Sequence, residues 1–221
     1  MLGREPAPDS AWVRFAGPAK LRVGDAIQRV HDLTAEWASI GAGSRRAAAF
    51  GAFGDDSVIC YPATTLMNVR YIRIGEGTVI GPHVALSAGM VPGQTCITDP
   101  VVSIGDRCLI GRGSGIVGHL SIEIGDDVWT GHHVYITDQN HGFDDPARPV
   151  SEQLQPERPV RIGRGSWIGH GAVILPGSQI GRNVVIGANS VVSGEIPDRA
   201  VAVGAPARVI RTVDGTDEIS G

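Results

Sequence analysis

The chain has 221 residues and a net charge of −4, with 19 Lys+Arg against 23 Asp+Glu; this excludes a basic field for nucleic acid or anionic membrane as the main partner surface. The length fits one domain with a small appendage. No apolar run approaches the ~18 residues of a membrane span, residues 1–10 lack the apolar core of a signal peptide, and Cys60, Cys96 and Cys108 are too few and scattered for a disulfide framework or zinc ribbon, so a cytoplasmic protein is expected.

Two compositional biases point to the architecture. Glycine is 31 of 221, and Ile (21) and Val (24) far outnumber Leu (9). Leucine dominates helical cores, whereas β-branched residues suit pleated strands. A core of short strands joined by glycine-rich turns is expected.

In chain order, residues 23–40 come first. Apolar groups at 27, 30, 33, 37 and 40 have helical spacing. Asp25 is a candidate N-cap and Gly41 lies just past the end. This predicts a helical cap over one end of the strand-rich remainder, with residues 1–52 as N-terminal extension and cap. Phe53-GDDSV and Ile59-CYPAT read as the first units of a repeat.

From Ile74 to Ile186 the dipeptide Ile-Gly recurs nine times. The cleanest stretch runs Ile162-GRGSW, Ile168-GHGAV, Ile174-LPGSQ, Ile180-GRNVV, Ile186-GANSV, Val192-SGEIP. A period of six fits neither an α-helix nor a simple alternating strand. It fits a triangular β-solenoid in which each hexad makes one flat side and one corner. The first residue points inward, the fifth fills the remaining inner space, and glycine or small polar residues allow the corner. Three hexads complete an 18-residue coil, and stacked coils bury a continuous aliphatic column.

Departures from that grid locate insertions. Ile74 to Ile104 is 18 plus 12, so about a dozen residues loop out around 90–101. Ile104 to Ile124 is 18 plus 2, a small bulge near 119–121. Ile124 to Ile162 is 18 plus 20, and the excess falls in 137–161. A long excursion from a regular solenoid is the first place to look for function. The β-helix is expected over 53–205 and a C-terminal segment over 206–221, where residues 207–213 are expected to close the far end.

These hexads, Asn140-His141 in the long loop, and the run Ser166-WIGHGAVILPGSQIGRNVVIGANSVVSGEIPDRAVAVGAPARVIR resemble the hexapeptide-repeat acyltransferases, in their maltose/galactoside and colanic-acid O-acetyltransferase branch. The resemblance covers roughly residues 70–211. It implies an all-β, left-handed parallel β-helix, a homotrimer with active sites between prisms, and acyl-CoA, above all acetyl-CoA, as donor. It also implies an O-acyltransferase acting on a hydroxyl of a sugar or glycoconjugate, with no metal.

Acyl transfer to an alcohol needs a base near neutrality, and histidine has a suitable unperturbed pKa of ~6.5. His141 has the spacing of the catalytic histidine in that branch. For the donor, the resemblance assigns Trp167, Gly169, His170, Ala188 and Ser193 to the pantetheine arm and diphosphate. It assigns Arg208 and Arg211 to the adenosine phosphate, where guanidinium–phosphate pairing is apt. His170 stands where the branch has Ser, and Gly194 where a lysine is common. Asn140, Asp138 and Phe143 are the candidates for contact with the acceptor, and Asp138, Asp144 and backbone carbonyls are the candidates to orient His141. His132 and His133 fall at an outward corner, as do His83 and Trp167, the last residue of its hexad; His31 lies on the helix. Cys108 takes an inward fifth place and is read as core. Two other readings of the solenoid stay open: a trimeric zinc enzyme like the γ-class carbonic anhydrases, drawing on His119, His132, His133 and His141, and a non-catalytic scaffold.

Overall fold

The computed structural model describes residues 18–153 and 156–213. Parts of the expected N-terminal extension, inserted loop and C-terminal segment, namely 1–17, 154–155 and 214–221, lie outside the described residues. The chain divides into two compact units, Met1–Ala38 and Ser39–Gly221.

In the first unit the helix spans Pro18–Ala38. It begins before the predicted start at Asp25, because a proline is well tolerated in the first turn, where its missing N–H has no helical partner. Asp25 therefore sits inside the helix. The apolar side chains Val23, Ile27, Val30, Leu33 and Trp37 are exposed.

The second unit is a three-sided parallel β-helix, as the period of six predicts. Among the described residues its three sheets have nine, six and seven strands, and, apart from the antiparallel pairs at the two ends of the first sheet, each strand pairs in parallel with the one a coil away. One face runs from Ile40–Gly41 to Arg208–Thr212 and includes Val79–Ile80, Leu109–Ile110, Trp129–Thr130, Trp167–Ile168 and Val185–Ile186. The second includes Ala85–Ala88, Gly115–Gly118, Tyr135–Thr137, Val173–Ile174 and Val191–Val192. The third includes Ile72–Ile74, Val102–Ile104, Ile122–Ile124, Val160–Ile162, Gln179–Ile180 and Glu195–Ile196. Residues 39–52, grouped with the cap on sequence, join this unit. Ile40 pairs antiparallel with Ile59, Phe50 is buried, and the Gly51 N–H donates to the Ile72 carbonyl at 3.0 Å.

The aliphatic first place of each hexad points inward. On the third face Ile74, Ile104, Ile124, Ile162, Ile180 and Ile196 stack in register, and all are buried. Each such side chain contributes ~1.5–3 kcal/mol of burial. Thr130 interrupts the column on the first face, and its hydroxyl is satisfied by the Gly111 N–H at 2.9 Å. Fifth-place Cys108, Ala172, Ser178, Val184 and Ser190 are buried between the columns. The three excursions lie where the hexad count puts them: between Ala85–Ala88 and Val102–Ile104, between Gly115–Gly118 and Ile122–Ile124, and between Tyr135–Thr137 and Val160–Ile162.

Candidate functional site

The long excursion leaves the second face after Thr137 and rejoins the third at Val160. Its two feet run antiparallel. Gln139 bridges Glu157, the Asn140 N–H donates to the Pro156 carbonyl at 3.2 Å, and the Arg158 N–H to the Asp138 carbonyl at 2.7 Å. Farther out, the Gln153 side chain staples a turn. Its amide oxygen accepts the Asp145 N–H at 3.0 Å, and its amide nitrogen donates to the carbonyls of Asp145 (2.9 Å) and Arg148 (3.0 Å). His141 lies directly beyond the stem and is exposed. Its N–H donates to the Asn140 side-chain oxygen at 2.9 Å, so Asn140 shapes the chain that presents the imidazole. Phe143 is exposed on the same excursion.

Asp138 corrects the sequence reading. Instead of facing an acceptor, it is fully buried, and its carboxylate accepts three backbone N–H groups. Those of His119 and Leu120 lie at 2.8 Å and that of Ser121 at 2.7 Å. The two-residue bulge at 119–121 turns its amides inward, and an acceptor-only carboxylate is the side chain that satisfies all three. Asp138 thus ties the bulge of one coil to the root of the excursion in the next. His119 lies at the same root, its side chain nearly buried, with Nδ1 3.5 Å from a Glu157 carboxylate oxygen. Sequence reasoning missed both roles; the 17- to 19-residue separation of bulge and Asp138, close to one coil, is the signal that carries them.

The donor candidates fall into two groups on one prism. Gly169, His170 and Ala188 sit together at the corner between the first and second faces. Gly169 is buried, and a Cβ there would lie 2.6 Å from the Ala188 nitrogen and 2.7 Å from the Ile186 carbonyl oxygen. Close coil stacking alone therefore demands glycine. The exposed rings of His132, His133 and His170 cluster at this corner, with centroids 5.6–6.4 Å apart. Trp167, read as a corner residue, lies on a strand instead, facing outward and in register with Trp129 of the preceding coil. Leu109 and Val185 continue this outward apolar ladder.

The second group belongs to the other end of the second face. Ser193 comes just after Val191–Val192, which pairs through Val173–Ile174 to Tyr135–Thr137, the strand that releases the excursion. Ser193 and His141 thus share the corner between the second and third faces. Arg208 and Arg211 belong instead with the first group: they are exposed on Arg208–Thr212, the last strand of the first face, antiparallel to Ala200–Val203 with Arg208 opposite Val203 and Arg211 opposite Val201. A side of one hexad separates the two corners, roughly 15–20 Å at ~3.3 Å per extended residue.

Among the described residues no group of three His, Cys, Asp or Glu is placed to hold a metal ion, and His119 lies at the excursion root, apart from the corner histidines. Cys108 is core, as expected; burial pushes its thiol upward, as it does those of Cys60 and Cys96, which disfavours a thiolate nucleophile.

Known proteins share this pattern. A bacterial transferase hexapeptide family model (six repeats) matches residues 159–194, and one for the hexapeptide repeat of succinyl-transferase matches 101–137. The galactoside O-acetyltransferase of Escherichia coli K12 is 32% identical over 154 residues, covering 70% of each chain. The probable acetyltransferase Rv3034c of Mycobacterium tuberculosis is 37% identical over 142 residues, which cover 64% of this chain and 42% of that protein. The chain spans about half the length of the first curated relatives it matches. Among solved structures, a maltose O-acetyltransferase from Clostridium difficile 630 superposes with a TM-score of 0.51 at 26% identity, covering 86% of each chain. A point mutant of the Bacillus cereus N-acyltransferase AntD, in complex with dTDP and coenzyme A, superposes with a TM-score of 0.66 at 21% identity, covering 79% of this chain and 90% of that one. The common fold is the left-handed parallel β-helix.

Proposed function

The chain belongs to the hexapeptide-repeat acetyltransferase family, and from that premise we propose that it is a CoA-dependent O-acetyltransferase acting on a hydroxyl of a sugar or glycoconjugate. His141 is the general base. Its imidazole takes the hydroxyl proton as the oxygen attacks the thioester carbonyl. The tetrahedral intermediate then collapses, the carbon–sulfur bond breaks, and the imidazolium returns the proton to the departing CoA thiolate. No acyl-enzyme is required.

One observation carries this reading: the excursion that bears His141 is anchored at both feet, by Asp138 and by the Gln139–Glu157 bridge. A solvent-facing imidazole so held meets the positioning that general-base catalysis needs. Asn140 and Phe143 beside it are the acceptor-side contacts. Trp167, Gly169, His170, Ala188, Ser193, Arg208 and Arg211 line the donor path.

A homotrimer joins the two groups. With threefold symmetry, the His170 corner of one prism meets the His141 corner of its neighbour, and the outward ladder of Leu109, Trp129 and Trp167 gives the contact apolar area. The cytoplasm is the proposed compartment, in keeping with three free cysteines.

The test is CoA release from acetyl-CoA with a panel of sugars. His141→Ala is expected to lower kcat by ~10²–10⁴-fold with the KM for acetyl-CoA little changed. Near-wild-type turnover by that variant overturns the assignment.

A further inference from the structure

The helix Pro18–Ala38 carries an apolar face that the acetyltransferase reading does not use. Val23, Ala26, Val30, Leu33 and Trp37 succeed one another at intervals of three, four, three and four residues. That alternation is the 3.5-residue period of a coiled-coil seam, with Val23, Val30 and Trp37 in one core position and Ala26 and Leu33 in the other. All but the small alanine are large apolar groups left in solvent, Val30 at 64% and Trp37 at 83% exposure. The helix surface is grooved along this seam, with one depression lined by Val30, Leu33 and Trp37 and another by Val23, Ala26 and Ile27.

We propose that this helix docks against the same helix of a second copy, antiparallel and about a two-fold axis. Antiparallel packing sets each core position of one kind opposite the other kind. With Val30 opposite Leu33 of the second copy, Trp37 falls opposite Ala26, large against small at both ends of the pair. The same register sets Ile27 beside Thr34 and flanks the seam with Arg29 opposite Glu36. The two-fold axis repeats each pairing.

Parallel pairing lacks this complementarity, because Arg22 and Arg29 then face Ile27 and Thr34. An anionic membrane surface is disfavoured too. Lys20, Arg22 and Arg29 are balanced on this helix by Asp25, Asp32 and Glu36, whereas helices that lie on such surfaces carry a basic excess.

The inference does not depend on the catalytic reading or on the proposed trimer, since a two-fold contact doubles the copy number of whatever unit exists. The test uses the full chain, with mass read by light scattering or sedimentation at micromolar concentration. The variants are Arg29→Glu and Glu36→Arg, both at positions where the helix tolerates either residue.

Wild type is expected at twice the mass of either variant. Arg29→Glu sets acid against acid across the axis, and Glu36→Arg sets base against base. Mixing the two variants in equal amounts is expected to restore the wild-type mass, because both cross-axis pairs are then complementary. The inference is overturned if the single variants keep the wild-type mass, if mixing restores nothing, or if wild type stays undoubled while pelleting with anionic vesicles. Circular dichroism of each variant, expected unchanged in sign and shape, separates lost pairing from lost helix.

Discussion

Replacing Asp138 by Asn is the most discriminating test of how the excursion is held. The substitution conserves shape and removes the charge. Three backbone amides converge on the carboxylate, one on one oxygen and two on the other. In the variant the amide oxygen can keep the pair from Leu120 and Ser121, but the His119 N–H then meets an NH2 group. An unsatisfied buried donor costs ~1–3 kcal/mol, and the two surviving bonds fall from charge-assisted to neutral strength. Relief of the desolvated charge offsets part of this. A net loss of ~3 kcal/mol is expected, a fall in Tm of roughly 6–12 °C for a chain of this size.

The loss is local. Hydrogen exchange is expected to quicken at 119–121 and 138–141 while the Ile162–Ile180 rungs keep their protection. Turnover is expected to drop at least tenfold, because His141 is three residues beyond the lost anchor. His141→Ala should reduce turnover with little change in Tm, so the pair of variants separates chemistry from support. An Asp138→Asn protein with unchanged Tm and unchanged exchange at the bulge would refute the anchoring role.

Other expectations are simpler. Gly169→Ala sets a Cβ 2.6 Å from the Ala188 nitrogen with no flexible side chain to yield, so a loss of ~3 kcal/mol or more and a lower Tm by calorimetry are expected. Cys108, with its thiol pushed up by burial, should resist iodoacetamide at pH 8 in the native protein and react fully in urea, as mass spectrometry can read. The Arg107 guanidinium holds the Asp127 carboxyl below the usual carboxylate range. A depressed folded value stabilises above the unfolded one and is lost as pH falls through the folded one. The small Tm advantage of wild type over Arg107→Ala should therefore be present at pH 7, fade below pH ~4, and shrink in high salt because both groups are solvent-facing.

The solenoid is legible in the sequence because its period is geometric. Inward residues must recur every hexad and pair every 18 residues, so Ile162, Ile180 and their neighbours announce both the rungs and, by their offsets, the three excursions. His141 is legible as a candidate because it stands just where the long excursion begins. Asp138 is not. Its carboxylate looks like any loop acid until the bulge at 119–121 is set beside it, a contact between coils that hexad counting does not resolve. Trp167 misleads for a related reason: position six of a hexad reads as corner, whereas the strand begins there and turns the indole outward beside Trp129. The helix start reads too late because Asp25 resembles a cap, while Pro18 begins the helix a turn or two earlier.

The nine-stranded side is finished at both ends by strands that run against the others, Ile40–Gly41 at one and Arg208–Thr212 at the other. A stack of parallel rungs is in principle a template on which further rungs, from any molecule, can deposit without limit. Reversing the final rung breaks that invitation, since an incoming parallel rung no longer finds the hydrogen-bonding pattern it would copy. Trimming the chain after Ala202 would reopen that end alone, since Ile40–Gly41 still closes the other, and the expected product is a pair of units joined tip to tip rather than an unlimited thread.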